Sequence, residues 1–263
     1  MSRVPAPFGR RLLTVAARRE LGAYVVLAAP DPGGPLPAPG QFYMLAAAER
    51  WGGDADVGRP FLPRAFSVLR AGDDGLQFML EDVGPGTARL CELRPGDGVW
   101  ALGPVGTGFE PPEGGRRALL CGGGVGTAPL AIWQDALGDA VALLGFRDAR
   151  HAAGAALLRD ARVATDDGSA GHHGLVTDLL AAELGADAHA TVYACGPPAM
   201  LEAVRALCAR RDVPAQLALE SGMACGYGAC FGCVVPTRGG GYVRLCVDGP
   251  VLDAALLAEV PAA

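Results

Sequence analysis

Up to about Pro112 the chain runs in short segments where apolar and polar positions alternate or cluster: LLTVAARREL, AYVVLAAP, GQFYMLAA, AFSVLRA, GLQFMLEDV and DGVWALGPVG. Each is broken by Gly or Pro and none keeps a helical period, which predicts a small antiparallel β-barrel. From about Arg116 strands and helices alternate. ALLCGGGVGTAPLAIWQDAL predicts a buried strand, a glycine-rich turn and a helix with Ala128 and Pro129 near its start. VALLGFRD and RVATDD follow as strands, and LVTDLLAAEL as a helix with Thr177 and Asp178 near its N-terminus. TVYACGPPAMLEAVRALCARR repeats the strand, turn and helix, and PAQLALE is a last strand. Such alternation predicts a parallel sheet with right-handed crossovers. Ligands of these sheets lie at the carboxyl ends of the strands, which is where Gly122 to Gly126, Asp166 to Ser169 and Cys195 to Pro198 fall.

The stretch Leu219 to Cys246 carries the most specific chemistry. Cys225, Cys230, Cys233 and Cys246 stand as C-x4-C-x2-C with twelve residues before the fourth Cys, the spacing of plant-type 2Fe–2S ligands. A two-iron cluster needs thiolates spread around a body wider than one ion, so a short loop wraps one edge and a later strand delivers the last sulfur. Gly226, Gly228 and Gly232 let that loop curl and aim backbone N–H groups inward. A zinc ribbon would use two C-x2-C knuckles, and only Cys230 and Cys233 make one. Disulfide scaffolds are short and Cys-dense, unlike this long apolar chain. The predicted class is therefore α+β multidomain: a barrel over 1–112, a parallel α/β domain over 113–219 and a small cysteine module over 220–263.

Within the barrel, Arg64, Ala65, Phe66 and Ser67 form RAFS, and VGPGT follows at Val83 to Thr87. An arginine, an aromatic and a hydroxyl along one strand can meet a phosphate, a flat ring and a ring nitrogen of one extended ligand. Gly84, Gly86 and Thr87 open a helix whose free N–H groups suit a pyrophosphate. Taken singly, the first is a strand and the second a turn; their co-occurrence gives them meaning. No acidic residue about twenty positions beyond the glycines reads as a ribose ligand, so the Rossmann fingerprint is incomplete. Arg147, after the Gly-Phe turn, faces either a 2′-phosphate or solvent.

Composition narrows the classes. The chain has 263 residues, 51% hydrophobic, and a net charge of −6, enough for a sizeable core and against nucleic acid as main partner. No apolar run reaches membrane-spanning length. The basic stretch from Arg3 to Arg19 surrounds RRLLTV, but no small-residue cleavage signal follows an unbroken apolar core, so it reads as strand. Eight cysteines without a signal peptide fit a reducing compartment, the cytoplasm. Cys91 and Cys208 read as core thiols, and His151, His172, His173 and His189 as solvated or satisfied. Glu220, just before the cysteine loop, reads as a solvated strand-end carboxylate that can also shuttle a proton.

RAFS, GPGT, CGGGVGTAP, ATDDGSAG, YACGPPAML, MACGYGACFGCVV and LCVDGPVLD together resemble the electron-transfer subunits of NAD-dependent dihydroorotate dehydrogenases, a branch of the ferredoxin-reductase superfamily. The resemblance runs nearly end to end. It implies a barrel that binds FAD, an α/β domain that binds NAD and a C-terminal 2Fe–2S module. By it, Arg64, Ala65, Phe66 and Ser67, the strand Met79, Leu80 and Glu81, and Gly86 with Thr87 hold FAD. Gly122, Gly123, Gly124 and Gly126 face the NAD pyrophosphate, and Cys195, Gly196 and Pro197 border the nicotinamide. Cys225, Cys230, Cys233 and Cys246 ligate iron, with no separate catalytic acid or base required. The implied partner is an FMN-containing dihydroorotate dehydrogenase catalytic subunit, two of each forming a heterotetramer in pyrimidine biosynthesis. An NAD(P)H reductase for a hydrogenase or ferredoxin-linked complex, or a flavin and cluster sensor, are the alternatives. Two departures stand out: Ala65 where proline is common, and Ser221-Gly222 where a charged pair often precedes Met-Ala-Cys.

Overall fold

The computed structural model describes residues 9–49, 60–73, 75–258 and 260. Arg3, in the basic N-terminal stretch, lies outside them. The alternating N-terminal runs become β1 (Arg11–Thr14), β2 (Ala17–Leu21), β3 (Tyr24–Ala29), β4 (Phe42–Ala47), β5 (Arg64–Gly72) and β6 (Gly75–Glu81), then a short helix α1 (Pro85–Cys91) and β7 (Gly98–Val105). All pair antiparallel in the order β1-β7-β4-β5-β6-β3-β2, an antiparallel half-barrel. Register shifts between Phe42 and Met44 and between Val68 and Arg70 mark irregularities of the kind that sharpen sheet twist. Alternation sends Leu13, Leu27, Tyr43, Leu45, Val68, Phe78 and Leu80 inward, where Leu90 of α1 joins them.

The second half reads β8 (Arg117–Gly123), α2 (Thr127–Leu137), β9 (Val141–Phe146), a short turn of helix α3 (Ala149–Ala152) and β10 (Arg162–Thr165). It continues with β11 (His172–His173), α4 (Val176–Ala186), β12 (Ala190–Cys195), α5 (Pro198–Arg210) and β13 (Ala215–Ala218). These strands are parallel in the order β11-β10-β9-β8-β12-β13. The chain leaves β8 toward β9 on one side and returns to β12 on the other, so the crevice expected of such sheets opens beyond the end of β8. Fully buried strand residues such as Leu119, Leu120, Leu143, Val192 and Tyr193 explain the unbroken apolar runs, because helices cover both faces.

The C-terminal segment adds a hairpin of β14 (Val234–Pro236) and β15 (Tyr242–Arg244), then β16 (Val251–Asp253). β16 pairs antiparallel with β13 and covers the free edge of the parallel sheet, so the segment expected as a separate module is stitched into its neighbour. Its buried residues Cys233, Val235, Leu245 and Cys246 share one core with Phe42 and Met44 of β4 and with Leu119, Leu201 and Leu217 of the α/β domain. A second shared core joins Tyr24, Val26, Leu69 and Met79 of the half-barrel to Leu130, Trp133 and Phe146. Arg70 adds polar ties across that seam, to Asp135 of α2 at 2.8 Å and to the Leu157 carbonyl at 2.7 Å. Each buried large apolar side chain contributes about 1.5–3 kcal/mol. Two such cores therefore hold the three segments in fixed relation.

Candidate redox site

The four cysteines fall into two pairs. Cys233 Sγ lies 3.3 Å from Cys246 Sγ, and Cys225 and Cys230 interact through their thiols. The loop aims backbone at sulfur as expected: the Gly232 N–H points at Cys230 Sγ at 3.4 Å and the Cys246 N–H at Cys233 Sγ at 3.5 Å. Burial works against ionising Cys225, but N–H groups of Tyr227, Cys230 and Ala229 and the Cys230 thiol outweigh it and bring Cys225 down to about 7. Burial and the neighbouring Cys233 push Cys246 up to about 12. Among the described residues no three His, Cys, Asp or Glu side chains converge as on a single ion. Two thiol pairs with backbone N–H groups directed at sulfur are a donor set that fits a two-iron cluster.

This loop rests directly on the half-barrel. Gly226 has φ +78°, and a Cβ there would strike the Met44 side chain. Met44 pairs with Ala65 across β4 and β5, and Phe42 with Ser67. One strand therefore separates the thiols from RAFS. Nothing in GQFYMLAA marked Met44 beforehand, because its importance comes from a partner far along the chain.

RAFS and GPGT come together in the fold. The Arg64 guanidinium lies over Gly86 so closely that a Cβ there would fall 2.6 Å from its Nε, and Arg64 also donates to the Leu62 carbonyl at 2.6 Å. Thr87 Oγ1 accepts from the Val83 N–H at 2.9 Å and donates to the Gly84 carbonyl at 3.0 Å, so it shapes the turn. The cation, the bare glycine and the helix start make a cradle that fits a pyrophosphate. Ala65 is exposed, while Phe66 is half-buried against the barrel core and Ser67 half-buried beside it. Of the next strand, Leu80 faces that core and Met79 the seam with the α/β domain. Glu81 turns its carboxylate to Arg147 and to His151, whose Nε2 is 3.2 Å away.

At the crevice, Gly122 and Gly123 end β8, and Gly124 and Gly126 form the turn into α2. A Cβ on Gly126 would collide with the Cys195 carbonyl, and one on Gly123 would lie 2.9 Å from Pro197, so the glycine turn and the Cys195-Gly196-Pro197 turn pack backbone to backbone. The Thr127 hydroxyl, buried at the start of α2, has no hydrogen-bond partner among the described residues, and neither has the buried Tyr24 hydroxyl near Gly124. An unsatisfied donor at a helix start beside a glycine turn fits a dinucleotide phosphate. Cys195 is pushed well up by burial, then by Glu220. Glu220 remains solvent-accessible as a residue, yet the protein packed around its carboxyl raises it above the usual carboxylate range. Cys91 and Cys208 are core thiols, raised by burial to about 11 and about 12. His172, His173 and His189 are exposed; His151 is buried and held by Asp148, Glu81 and Arg147.

Comparison with known proteins agrees with this layout. The model of one family, the iron-sulfur cluster binding domain of dihydroorotate dehydrogenase B, matches residues 220–258. The chain is 37% identical over 262 residues to the electron transfer subunit of dihydroorotate dehydrogenase B (NAD(+)) from Geobacillus thermodenitrificans, covering 94% of this chain and 97% of that one. It is 35% identical to the corresponding subunit from Clostridium acetobutylicum, over 81% of this chain and 83% of that one. Among solved structures, an NADH-dependent reduced ferredoxin-NADP oxidoreductase superposes with a TM-score of 0.79 at 25% identity, over 96% of this chain and 91% of that one. A ferredoxin reductase of carbazole 1,9a-dioxygenase shares the fold, with a TM-score of 0.67 at 24% identity over 78% and 66% of the two chains.

Proposed function

Because the chain belongs to the family of electron-transfer subunits of dihydroorotate dehydrogenase B (NAD(+)), we propose that it carries electrons between NAD and an FMN-containing catalytic subunit that oxidises dihydroorotate, in an assembly of two copies of each. It is an oxidoreductase subunit whose cofactors are FAD, a 2Fe–2S cluster and NAD. The observation that carries the partnered reading is the continuity of the site. The cysteine loop rests through Gly226 on Met44 of β4, β4 lies beside RAFS on β5, and β8, which ends in the glycine turn, shares a core with β4 and with Cys233 and Cys246.

When bound, FAD exchanges two electrons as hydride with nicotinamide and single electrons with an iron-sulfur cluster. The chain supplies placement. Arg64 and the Gly86 backbone would hold the FAD phosphates, Phe66 and Ser67 would meet the ring system, and Met79, Leu80, Glu81 and Thr87 would complete the site. Gly122, Gly123, Gly124 and Gly126 admit the NAD pyrophosphate, while Cys195, Gly196 and Pro197 border the nicotinamide. Met44 and Phe42, both buried, exclude water between flavin and cluster sites. No side chain needs to act as acid, base or nucleophile in this scheme. The units of work are 1–112 for FAD, 113–219 for NAD and 220–263 for the cluster.

Around the thiols the surface is apolar and open: Tyr227 is 53% exposed, Phe231 61% and Tyr242 73%. Aromatic side chains at such density suit the centre of a protein interface, and we place the catalytic subunit there. No helix among the described residues is long and apolar enough to cross a membrane, and we place the assembly in the cytoplasm. Anaerobic co-expression with an FMN-containing dihydroorotate dehydrogenase tests the reading. The two chains are expected to copurify, with iron and acid-labile sulfide each at about two per copy of this chain. Zinc in place of iron, or a partner that elutes alone, would overturn it.

A further inference from the structure

Arg147 follows β9 directly, at the edge of the parallel sheet where the adenosine half of a dinucleotide lies. A free arginine there would meet the extra phosphate on the 2′ oxygen of NADP. In this chain its guanidinium is engaged on two sides. One terminal nitrogen pairs with Glu81 Oε1, and Nε donates to His151 Nε2 at 2.8 Å. The carboxylate comes from the other domain, at the end of β6, and is largely buried: the Glu81 side chain is 17% exposed against 60% for Arg147.

The surroundings are acidic. The Asp166 N–H bonds to the Phe146 carbonyl at 3.0 Å and the Asp167 N–H to the Arg147 carbonyl at 3.3 Å, while the Ala149 N–H bonds to Ser169 Oγ at 2.7 Å. The loops after β9 and β10 thus form one edge that carries Asp148, Asp166 and Asp167. Hydrogen bonds from His151 and Ser169 hold Asp148 and Asp167 in their charged forms.

We propose that Glu81 is a specificity-determining residue for the nucleotide: by pairing with Arg147 across the domain seam it withholds the guanidinium from a 2′-phosphate and keeps this edge anionic, so the site takes NAD and rejects NADP. The proposal rests on the NAD-binding reading above and assigns the discrimination to one cross-domain pair. A 2′-hydroxyl suffers no charge penalty at this edge, whereas a 2′-phosphate meets carboxylates whose cation is already neutralised. Glu81 therefore serves the nucleotide through its side chain, whatever its backbone does for flavin.

The test uses the FAD-loaded protein and two redox-inert fragments, ADP-ribose and ADP-ribose 2′-phosphate, with affinities measured by calorimetry. Wild type is expected to favour ADP-ribose. Glu81→Gln should narrow that preference by about tenfold, the equivalent of about 1.4 kcal/mol, and adding Arg147→Ala should cancel the gain, because the freed guanidinium is what receives the phosphate. In wild type the preference should also narrow as salt is raised, since repulsion between exposed charges is screened. An unchanged preference in Glu81→Gln, or a gain that survives in the double variant, overturns the proposal. If Glu81→Gln fails to keep its flavin the salt series decides alone, and a salt-independent preference rejects the idea. Wild type that binds neither fragment removes the nucleotide site itself, and the proposal with it.

Discussion

Arg64 stands at the start of β5 with its guanidinium over Gly86, so one cation is shared between a strand end and a helix start. A charge-assisted hydrogen bond from it to a phosphate of the proposed FAD site would contribute about 1.5–3 kcal/mol. Arg64→Ala is accordingly expected to release FAD roughly tenfold to a hundredfold more readily, read as free flavin fluorescence on dilution. Arg89, paired with Glu92 at 3.0 Å along α1, is the control, and Arg89→Ala should hold flavin as wild type does. Equal release from the two variants removes Arg64 from the site. Glu183 makes a different point, about stability. Hydrogen bonding by Arg117 and the charge of Arg162 hold its carboxyl below the ordinary range against partial burial, tying α4 to β8 and β10. A depressed folded pKa means that the contribution is complete above the unfolded value, about 4.3, and is lost as pH falls through the folded value. Glu183→Gln should cost about 0.5–1 kcal/mol at neutral pH, little because solvent screens the pairs. Denaturant midpoints of variant and wild type should converge in acid, and a constant gap would contradict the assignment.

Among elements, the loop from Cys225 to Cys233 depends on its support. Gly226 lies at φ +78°, where any other residue costs about 1–2 kcal/mol, and its missing Cβ leaves room for Met44. Gly226→Ala should lower the iron bound per flavin while leaving the flavin in place. Adding Met44→Ala should restore part of the iron, since it removes the collision but not the backbone strain. Full iron loading in Gly226→Ala alone would show that the contact with β4 does not fix the loop. The contrast between loop and support also marks what could be read beforehand. The cysteine spacing, the short runs that become β3 to β6 and the strand, turn and helix around Gly122 to Gly126 are local patterns, and the strands and the helix form where those runs predicted them. Met44 beneath Gly226, β16 on the edge of β13 and Glu81 on Arg147 join residues far apart in sequence, and composition around each is unremarkable. His151 reads in sequence as solvated or satisfied, and it is the satisfied kind: buried and hydrogen-bonded to Asp148 and Arg147. Arg70 belongs to none of the sequence motifs, and it ties the half-barrel to α2.

At the scale of the whole molecule, three segments share two cores, and the order of sites proposed along them is nicotinamide, flavin, cluster. That order separates what Cys230→Ser can break from what it must leave. Cys230 is the exposed member of its pair, and its substitution replaces a soft thiolate with a harder oxygen that iron holds poorly. The half-barrel core contains none of the four loop cysteines, so the flavin site should keep its fold. Mixing the variant with NADH should still bleach flavin absorbance, and small acceptors reached directly from flavin should still be reduced. Passage of electrons between NAD and dihydroorotate in the assembly with the catalytic subunit should fail, because the proposed docking surface, with exposed Tyr227, Phe231 and Tyr242, puts the partner beyond the thiols. Gel filtration decides whether the partner still binds, which separates a broken path from a broken interface. A variant that keeps FAD and partner, lacks iron, and still couples dihydroorotate oxidation to NAD reduction at the wild-type rate would mean that electrons leave flavin by another face, and the thiol pairs of the cysteine loop would then be structural.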